Sequence, residues 1–526
     1  MDPADLRLGI DVGTTNTDAV LMDGRGRLVA KAKVPSTPVP EDGVAAAVRR
    51  VVARADGRPG RVAAAMLGTR RLTRAIAERR GLARVAALRV GAPLTHAAPP
   101  LATWPADLRA AVSAGTAVVR GGADFDGRPA VALDADAIAR FAISVGGHAD
   151  GVAITSVFSP VAPEHELAAA AIVRRELGDA VDVSLSHEIG SFGLRERENA
   201  TVLNAALVGA VADLGRAVGD TLTGLGLDAE PFLAQSDGTI MALDHALGFP
   251  VLLIGAGPAN GLRGAAYLSG VVEGVVADVG GAAADVGVLV NGLPRESDRP
   301  TTVAGVRTRV RMPDLRSIPV GGGSVVHLDR DPPRIGPDTV GALLTRRARV
   351  FGGPVLTVTD AVVAAGRAGI GSRALEPDER AALAPLVAMI DDALADAVDR
   401  VGAGLAPPIV VAVGGAGALV PDALAGAGEV IHPIDGAVAG AVGVATAPVS
   451  GLVDRICAGA DDRATVLERA RADAFARAVH AGADPSAVEI VALEEIPLAY
   501  LLDTAVRIRV RAAGPPLADR PGPDVA

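Results

Sequence analysis

One cysteine, Cys457, is present in 526 residues. That excludes an internal disulfide framework and any zinc site built from several thiolates, and it fits a reducing compartment. A small core hydrophobe is the plainest role for that thiol. Aromatic residues make up only 2% of the chain, so the stacking platforms that single-stranded nucleic acids require are scarce. Lysine is confined to Lys31 and Lys33, and the formal net charge is −10. A chain of that sign lacks the basic face that phosphate backbones select, so no nucleic-acid partner is expected. No uninterrupted apolar run reaches the ~18–20 residues of a membrane helix, and no membrane association is expected. The opening Met1-Asp2-Pro3-Ala4-Asp5 has no basic stretch ahead of an apolar run, so a cytoplasmic location is expected. The histidines form neither His-x-x-x-His nor His-Glu-x-x-His, and no nucleophile elbow or Cys-His arrangement stands out. A protein-built zinc site and covalent catalysis are therefore without support.

What is present in quantity is small and apolar: half the residues are hydrophobic, supplied mostly by Ala and Val, with Gly added. The length exceeds one compact core and predicts two large lobes with a small appendage. Within it one pattern occurs twice, Asp11-Val12-Gly13-Thr14-Thr15-Asn16-Thr17-Asp18 and Asp278-Val279-Gly280-Gly281-Ala282-Ala283-Ala284-Asp285. Each copy follows an apolar strand and precedes another that runs into Asp23-Gly24 or Asn291-Gly292, which predicts two hairpins. A strand ending in Asp-x-Gly can aim a carboxylate at a metal while glycine lets backbone N–H groups approach a phosphate. Two such loops on opposite lobes would grip one nucleotide.

Periodicity adds helices over Glu41–Arg54, Leu72–Arg80, Glu164–Leu177 and Asn260–Leu268, with a long bridging helix beginning at Arg195. Late in the chain the strand Ile409–Val413 runs into Gly414-Gly415-Ala416-Gly417, with a helix expected after it, as a third ligand loop. Terminal strands are expected over Val488–Leu493 and Val506–Val510, ahead of a frayed Pro521-Gly522-Pro523-Asp524 tail.

Together with Gly68-Thr69, Ser186-His187-Glu188, Arg195 to Ala205, Gln235-Ser236-Asp237-Gly238, Gly257-Pro258-Ala259 and Gly321-Gly322-Gly323-Ser324, these motifs resemble the hydantoinase/oxoprolinase family, A-type in its short form, within the superfamily of actin, sugar kinases and heat-shock ATPases. The resemblance covers roughly residues 8–450. It implies an α/β, two-lobed actin-like ATPase (ribonuclease H-like) fold with an interlobe nucleotide cleft. The implied division is an N-terminal lobe over 1–190 with an inserted subdomain near 97–134, an A-type lobe over 191–450 carrying the second phosphate loop and the adenosine loop, and a small C-terminal extension over 451–526.

The implied cofactors are ATP and Mg2+, the implied substrate a cyclic amide such as hydantoin or 5-oxoproline, and the implied partner a separately encoded hydantoinase-type subunit. Related proteins carboxylate ketones. By the same resemblance Asp11 and Asp278 hold Mg2+ and, with Thr14, carry catalysis; Gly13, Thr15 and Asn16 meet the outer phosphates; Gly280 and Gly281 face them from the other lobe; and Gly414, Gly415 and Gly417 flank adenosine. The triglycine segment with Ser324, and His187 with Glu188, are the substrate candidates. His187 and Glu188 equally suit a helix N-terminus with satisfied polar groups. Glu164-His165-Glu166 reads as the acidic opening of a helix.

The chain departs from the family where relatives carry hydroxyl residues after the second Asp-x-Gly-Gly: it has Ala282, Ala283 and Ala284. It also has Arg70 and Arg74 where relatives place Thr and Asn, and those cations suit either an anionic ligand or surface ion pairs. Three readings follow: the ATP-using part of a cyclic-amide hydrolase, a nucleotide-binding regulatory subunit with weakened turnover, and a small-molecule kinase of the same fold.

Overall fold

The computed structural model describes residues 5–37, 40–55, 61–178, 181–190, 193–330, 332–402, 407–457, 463–497 and 506–517. The predicted tail at Pro521-Gly522-Pro523-Asp524 lies outside these residues.

Three sheets organise the described chain. In the first, the strand Leu6–Val12 pairs antiparallel with Asn16–Asp23, which pairs in turn with Leu28–Pro35. On its other side Leu6–Val12 runs parallel to Val62–Thr69, and Glu230–Ala234, Ile240–Ala242 and Val449–Cys457 continue the sheet. Val506–Gly514 and then Glu489–Pro497 complete its nine strands. The second sheet is built on the hairpin Gly274–Val279 and Ala284–Val290, with Ile409–Val413 parallel to Gly274–Val279 and Glu429–Ile431 beyond it. A smaller sheet orders Ser113–Arg120, Val85–Ala92, Gly151–Ser156 and Asp182–Leu185. Strands buried on both faces, such as Val62–Thr69, read as continuous apolar runs because helices cover both sides.

The expected domain boundaries do not follow these sheets. Glu230–Ala234, Ile240–Ala242 and Val449–Cys457, assigned by sequence to the A-type lobe or its edge, extend the N-terminal sheet, and so do the strands of the 451–526 extension. Lobes defined by hydrogen-bonded ladders need not be contiguous in sequence, because pairing rewards spatial neighbours. The insertion near 97–134 likewise belongs to a larger unit, since Ser113–Arg120 is an edge of the small sheet that starts at Val85.

The bridging helix is Leu194–Gly224, and its first half is buried on almost every side from Arg197 to Leu207. It is long and apolar enough to cross a membrane, yet 61% of its most apolar window is buried inside the protein, so it is a core helix. The polar groups it takes inside are paired. Glu198 holds Arg89 through two contacts at 2.6 Å, and Arg89 also donates to the Ala98 carbonyl at 2.5 Å. Arg89 and Glu198 side chains are only 1% and 4% exposed. Removing one member of a buried pair strands the other charge, so Glu198→Ala is expected to lower the unfolding free energy by about 3–5 kcal/mol in a denaturant titration. A loss below about 1 kcal/mol would mean that water reaches Arg89.

Candidate functional site

The two repeated loops have one backbone design. In the first, Gly13 N–H donates to the Asn16 carbonyl at 3.0 Å and Asp11 lies opposite Asp18 across the ladder; in the second, Gly280 N–H donates to the Ala283 carbonyl at 2.9 Å and Asp278 lies opposite Asp285. Each turn therefore ends a strand with an Asp and returns with a second Asp beside it. The first lobe's loop meets the second lobe's: a Cβ on Gly281 would lie 1.9 Å from Thr15 Oγ1. Thr15 is buried, and its hydroxyl has no hydrogen-bond partner among the described residues. Thr14 is exposed at the tip, and Asn16 closes the turn through its carbonyl.

Two helices seat the carboxylates from behind. On Ala256–Ser269, a Cβ at Gly261 would fall 2.0 Å from Asp278 Oδ2; on Ala439–Ala445, a Cβ at Gly440 would fall 2.5 Å from Asp11 Oδ2. The helices themselves touch backbone to backbone, since a Cβ at Gly264 would be 1.8 Å from the Ala439 carbonyl oxygen. Asn260 Nδ2, from the first of them, donates to Asp11 Oδ1 at 3.4 Å. Burial pushes the Asp11 carboxyl up to about 6, against the pull of Arg70. Burial, and then the neighbouring Asp285, push Asp278 up to about 7. A pair of carboxylates so short of compensating charge suits a cation.

Each return-strand Asp has its own cation. Lys33 Nζ donates to Asp18 Oδ2 at 2.7 Å, and Arg70 Nη2 donates to Asp285 Oδ2 at 3.4 Å. Asp285 also accepts from Ser317 Oγ. Arg70 and Arg74, equivalent from sequence, have different surroundings. Arg70 reaches into the cleft, whereas Arg74 pairs with Glu78 on the surface at 2.6 Å.

The late glycine loop lies at this cleft. A Cβ on Gly414 would be 2.4 Å from Asp278 Oδ1, and Gly415 faces Lys33 Nζ. Gly414 thus packs beside the second carboxylate. Gly417 opens a 3-10 turn, Gly417–Leu419, in place of the expected helix: Val420, which precedes Pro421, is extended and ends the turn, while Ala416 N–H donates to the Val279 carbonyl at 2.9 Å. The triglycine segment also comes here: Gly322 and Gly323 N–H groups donate to the Gly280 and Gly281 carbonyls at 3.0 and 2.7 Å. It braces the second loop, while Ser324 Oγ accepts from Gly321 N–H at 3.0 Å.

His187 and Glu188 lie elsewhere, on the short helix Ser186–Ile189, and line a cavity of about 620 Å3 that none of the hairpin residues lines. The sequence separates them from Glu166, whose role as a helix opener hid its contact: Glu166 is fully buried and receives His187 Nδ1 at 2.6 Å. Only long-range packing joins the two. Gly261, Gly264 and Gly440 were likewise invisible as site residues, because glycine in an Ala-rich helix carries no sign of what it packs against.

The residues present fit Mg·ATP. The unpartnered Thr15 hydroxyl and the side-chain-free surface of Gly280-Gly281 suit phosphate oxygens, and Asp11 and Asp278 suit the cation. Among the described residues no three His, Cys, Asp or Glu side chains are arranged to hold a metal. Mg2+ is commonly held by one or two carboxylates plus phosphates and waters, so two suffice.

Residues 7–177 match the N-terminal region of the hydantoinase/oxoprolinase family, and residues 197–382 match its hydantoinase/oxoprolinase domain. The chain is 28% identical over 438 residues to the alpha subunit of the caprolactamase of Pseudomonas jessenii, covering 77% of this chain and 61% of that one. It is 28% identical over 228 residues to the gamma subunit of the acetophenone carboxylase of Aromatoleum aromaticum, covering 41% and 31%. An uncharacterised protein of Methanocaldococcus jannaschii is 30% identical over 234 residues, covering 41% and 34%. The matches thus span 31% to 61% of these relatives' lengths. Among solved structures, the ATP-dependent caprolactamase of Pseudomonas jessenii aligns with TM-score 0.77 at 20% identity, over 99% of this chain and 90% of that one. Nucleotide-free acetone carboxylase aligns with TM-score 0.68 at 18% identity, over 97% and 88%. The architecture is the mixed α/β, actin-like ATPase fold.

Proposed function

This chain belongs to the hydantoinase/oxoprolinase family, and we propose that it is the nucleotide-using subunit of an ATP-dependent hydrolase that opens a cyclic amide, a hydantoin, 5-oxoproline or a related lactam. One observation carries the reading: Thr15 and Gly281 bring two like-built Asp-x-Gly loops from different sheets into contact, with Asp11 and Asp278 behind them. The alpha subunit of caprolactamase, a relative matched over 77% of this chain, is named for a lactam-opening activity. Because relatives are named as alpha and gamma subunits, we infer a separately encoded partner as well.

A lactam carbonyl is a weak electrophile. Transfer of the γ-phosphoryl group to its oxygen breaks the bond to the β-phosphate, releases ADP and leaves an imidate phosphate. One water adds at the carbon, the C–N bond opens with a proton going to the nitrogen and leaves an acyl phosphate, and a second water hydrolyses that to carboxylate and free phosphate. The chain's part in the transfer is position and charge. Asp11 and Asp278 would hold Mg2+, which when bound neutralises phosphate charge. The Gly281 backbone N–H and the Thr15 hydroxyl orient the outer phosphates, the Gly280 N–H being closed onto the Ala283 carbonyl, and Arg70, held by Asp285, supplies a cation at the same cleft.

The regulatory reading rests on Ala282, Ala283 and Ala284. Against it, Thr15 reaches across to Gly281, so the first loop delivers a hydroxyl to the place where the second loop lacks its own. Ala284 does not bear on the question, since its side chain is buried in the second lobe's core. Ala282→Thr is accordingly expected to raise turnover modestly, whereas Ala284→Thr buries an unpaired hydroxyl and is expected to cost about 1–3 kcal/mol of stability.

The deciding experiment is calorimetric titration of the full chain with Mg·ATP, with phosphate release recorded with hydantoin, 5-oxoproline or caprolactam, alone and with a candidate partner protein. Ring-stimulated release with a ring-opened product is the expected result. A phosphorylated, ring-intact product would favour a kinase, and tight binding with no release under any condition would favour the regulatory role.

A further inference from the structure

The cavity beside His187 is independent of the nucleotide cleft and has a charge opposite to the chain's. Eight arginines and four carboxylates line it, in a protein whose formal net charge is −10. Two of those carboxylates are committed to arginines: Glu296 to Arg509 at 2.9 Å and to Arg511, and Asp454 to Arg507. Arg455 is taken by Asp473 at 2.7 Å. Arg309 and Arg469 have no ion pair or side-chain hydrogen bond among the described residues. Arg477 spends one N–H on the Leu452 carbonyl at 2.9 Å, and burial and then Arg455 hold its guanidinium below the usual arginine range. Glu188 and Asp298 alone remain to face this surplus. A concave wall with excess positive charge concentrates anions, and the volume falls within the ~300–1,000 Å3 range of small-molecule sites.

His187 adds a directed group. Glu166 accepts the Ser156 N–H at 2.7 Å, the His187 N–H at 3.1 Å and His187 Nδ1 at 2.6 Å, with Ser186 Oγ as a further donor. Neighbouring donors and Arg197 keep the Glu166 carboxyl below the usual range despite its burial. An ionised carboxylate only accepts, so Nδ1 carries the proton and Nε2, on the far edge of the ring, is the atom left to a ligand. Bland helix capping does not account for a buried carboxylate spent on fixing one imidazole at a cavity wall.

We propose that this cavity is a second ligand site for a small anion bearing a phosphate or a hydroxycarboxylate group, gripped by Arg309, Arg469 and Arg477, with His187 Nε2 accepting the orienting hydrogen bond from the ligand's own O–H. The site needs nothing from the ATP-hydrolase reading and stands or falls separately from it.

The test is calorimetric titration of the full chain with inorganic phosphate in one arm and malate in the other, each repeated with a saturating non-hydrolysable ATP analogue and Mg2+. One saturable site is expected in at least one arm, unaffected by the analogue; the tighter arm identifies the group recognised. The exposed pair Arg309→Gln and Arg469→Gln together should weaken binding about tenfold or more, as expected for two charge-assisted contacts discounted for exposure. His187→Gln should weaken it about three- to tenfold with an unchanged thermal transition, whereas a purely structural histidine would shift the transition and leave affinity alone. Absence of saturable binding in both arms, displacement by the analogue, or affinity indifferent to the arginine pair would overturn the proposal.

Discussion

Asp278→Asn is expected to make the ligand-free protein more stable above neutral pH while abolishing the stabilisation conferred by Mg·ATP. The two effects share one cause. Burial and Asp285 raise the Asp278 carboxyl from an ordinary 3.8 to about 7, so the folded protein binds this proton more tightly than the unfolded chain does. Stability from that proton is fully present below about pH 4 and is lost as pH rises through about 7. At pH 8 the ionised group weakens the fold by roughly 1–4 kcal/mol, the lower figures applying because the residue keeps some contact with solvent. Asparagine removes the charge and the penalty together, but it also removes half of the proposed cation site. Thermal unfolding from pH 5 to 8.5, with and without Mg·ATP, reads both. A variant no more stable than the parent at pH 8, or one whose transition still rises with Mg·ATP, would remove Asp278 from the site.

Gly264→Ala is expected to have the largest effect of any methyl group added outside the loops. Its Cβ would sit 1.8 Å from the Ala439 carbonyl oxygen and 2.5 Å from the carbonyl carbon, both backbone atoms that no rotamer change can move. The helices Ala256–Ser269 and Ala439–Ala445 must part, and with them Gly261 behind Asp278 and Gly440 behind Asp11. Overpacking costs about 1–3 kcal/mol, more where backbone must shift. Alanine's advantage over glycine within a helix, roughly 0.5–1 kcal/mol, does not offset it. Mg·ATP affinity should fall as well, by about tenfold or more, because misplacing a charged ligand by an ångström forfeits much of its contact. Gly209→Ala is the control: it is exposed in mid-helix with nothing within 4 Å of the added carbon, and it should be neutral or stabilising. Equal behaviour of the two variants in a denaturant titration would refute the helix-contact account.

What the chain discloses residue by residue is local. Asp11 to Asp18 and Asp278 to Asp285 each contain a complete turn and its flanking strands, so hydrogen bonds within about ten residues fix the loop wherever the chain goes next. The strand Ile409–Val413 and the helix Glu164–Leu177 were legible for the same reason, since apolar period and end signals lie inside the element. The triglycine segment was legible as special but not in its role, because its N–H groups meet the Gly280 and Gly281 carbonyls some forty residues away.

By itself, then, the sequence determined the two Asp-x-Gly loops, the α/β character and the acidic, aromatic-poor surface, all of which follow from residue identity and short-range backbone geometry. Only the tertiary structure decided that Thr15 touches Gly281, that Arg70 enters the cleft while Arg74 stays on the surface, and that Glu166 holds His187. It also decided that strands from near residue 10, 235, 450 and 510 share one sheet. Those outcomes depend on which distant surfaces exclude water from one another: the burial that raises the Asp11 carboxyl comes with a Gly-bearing helix, Ala439–Ala445, at the other end of the chain, and Asp278 is closed in by Gly414 of the late loop as well as by Gly261.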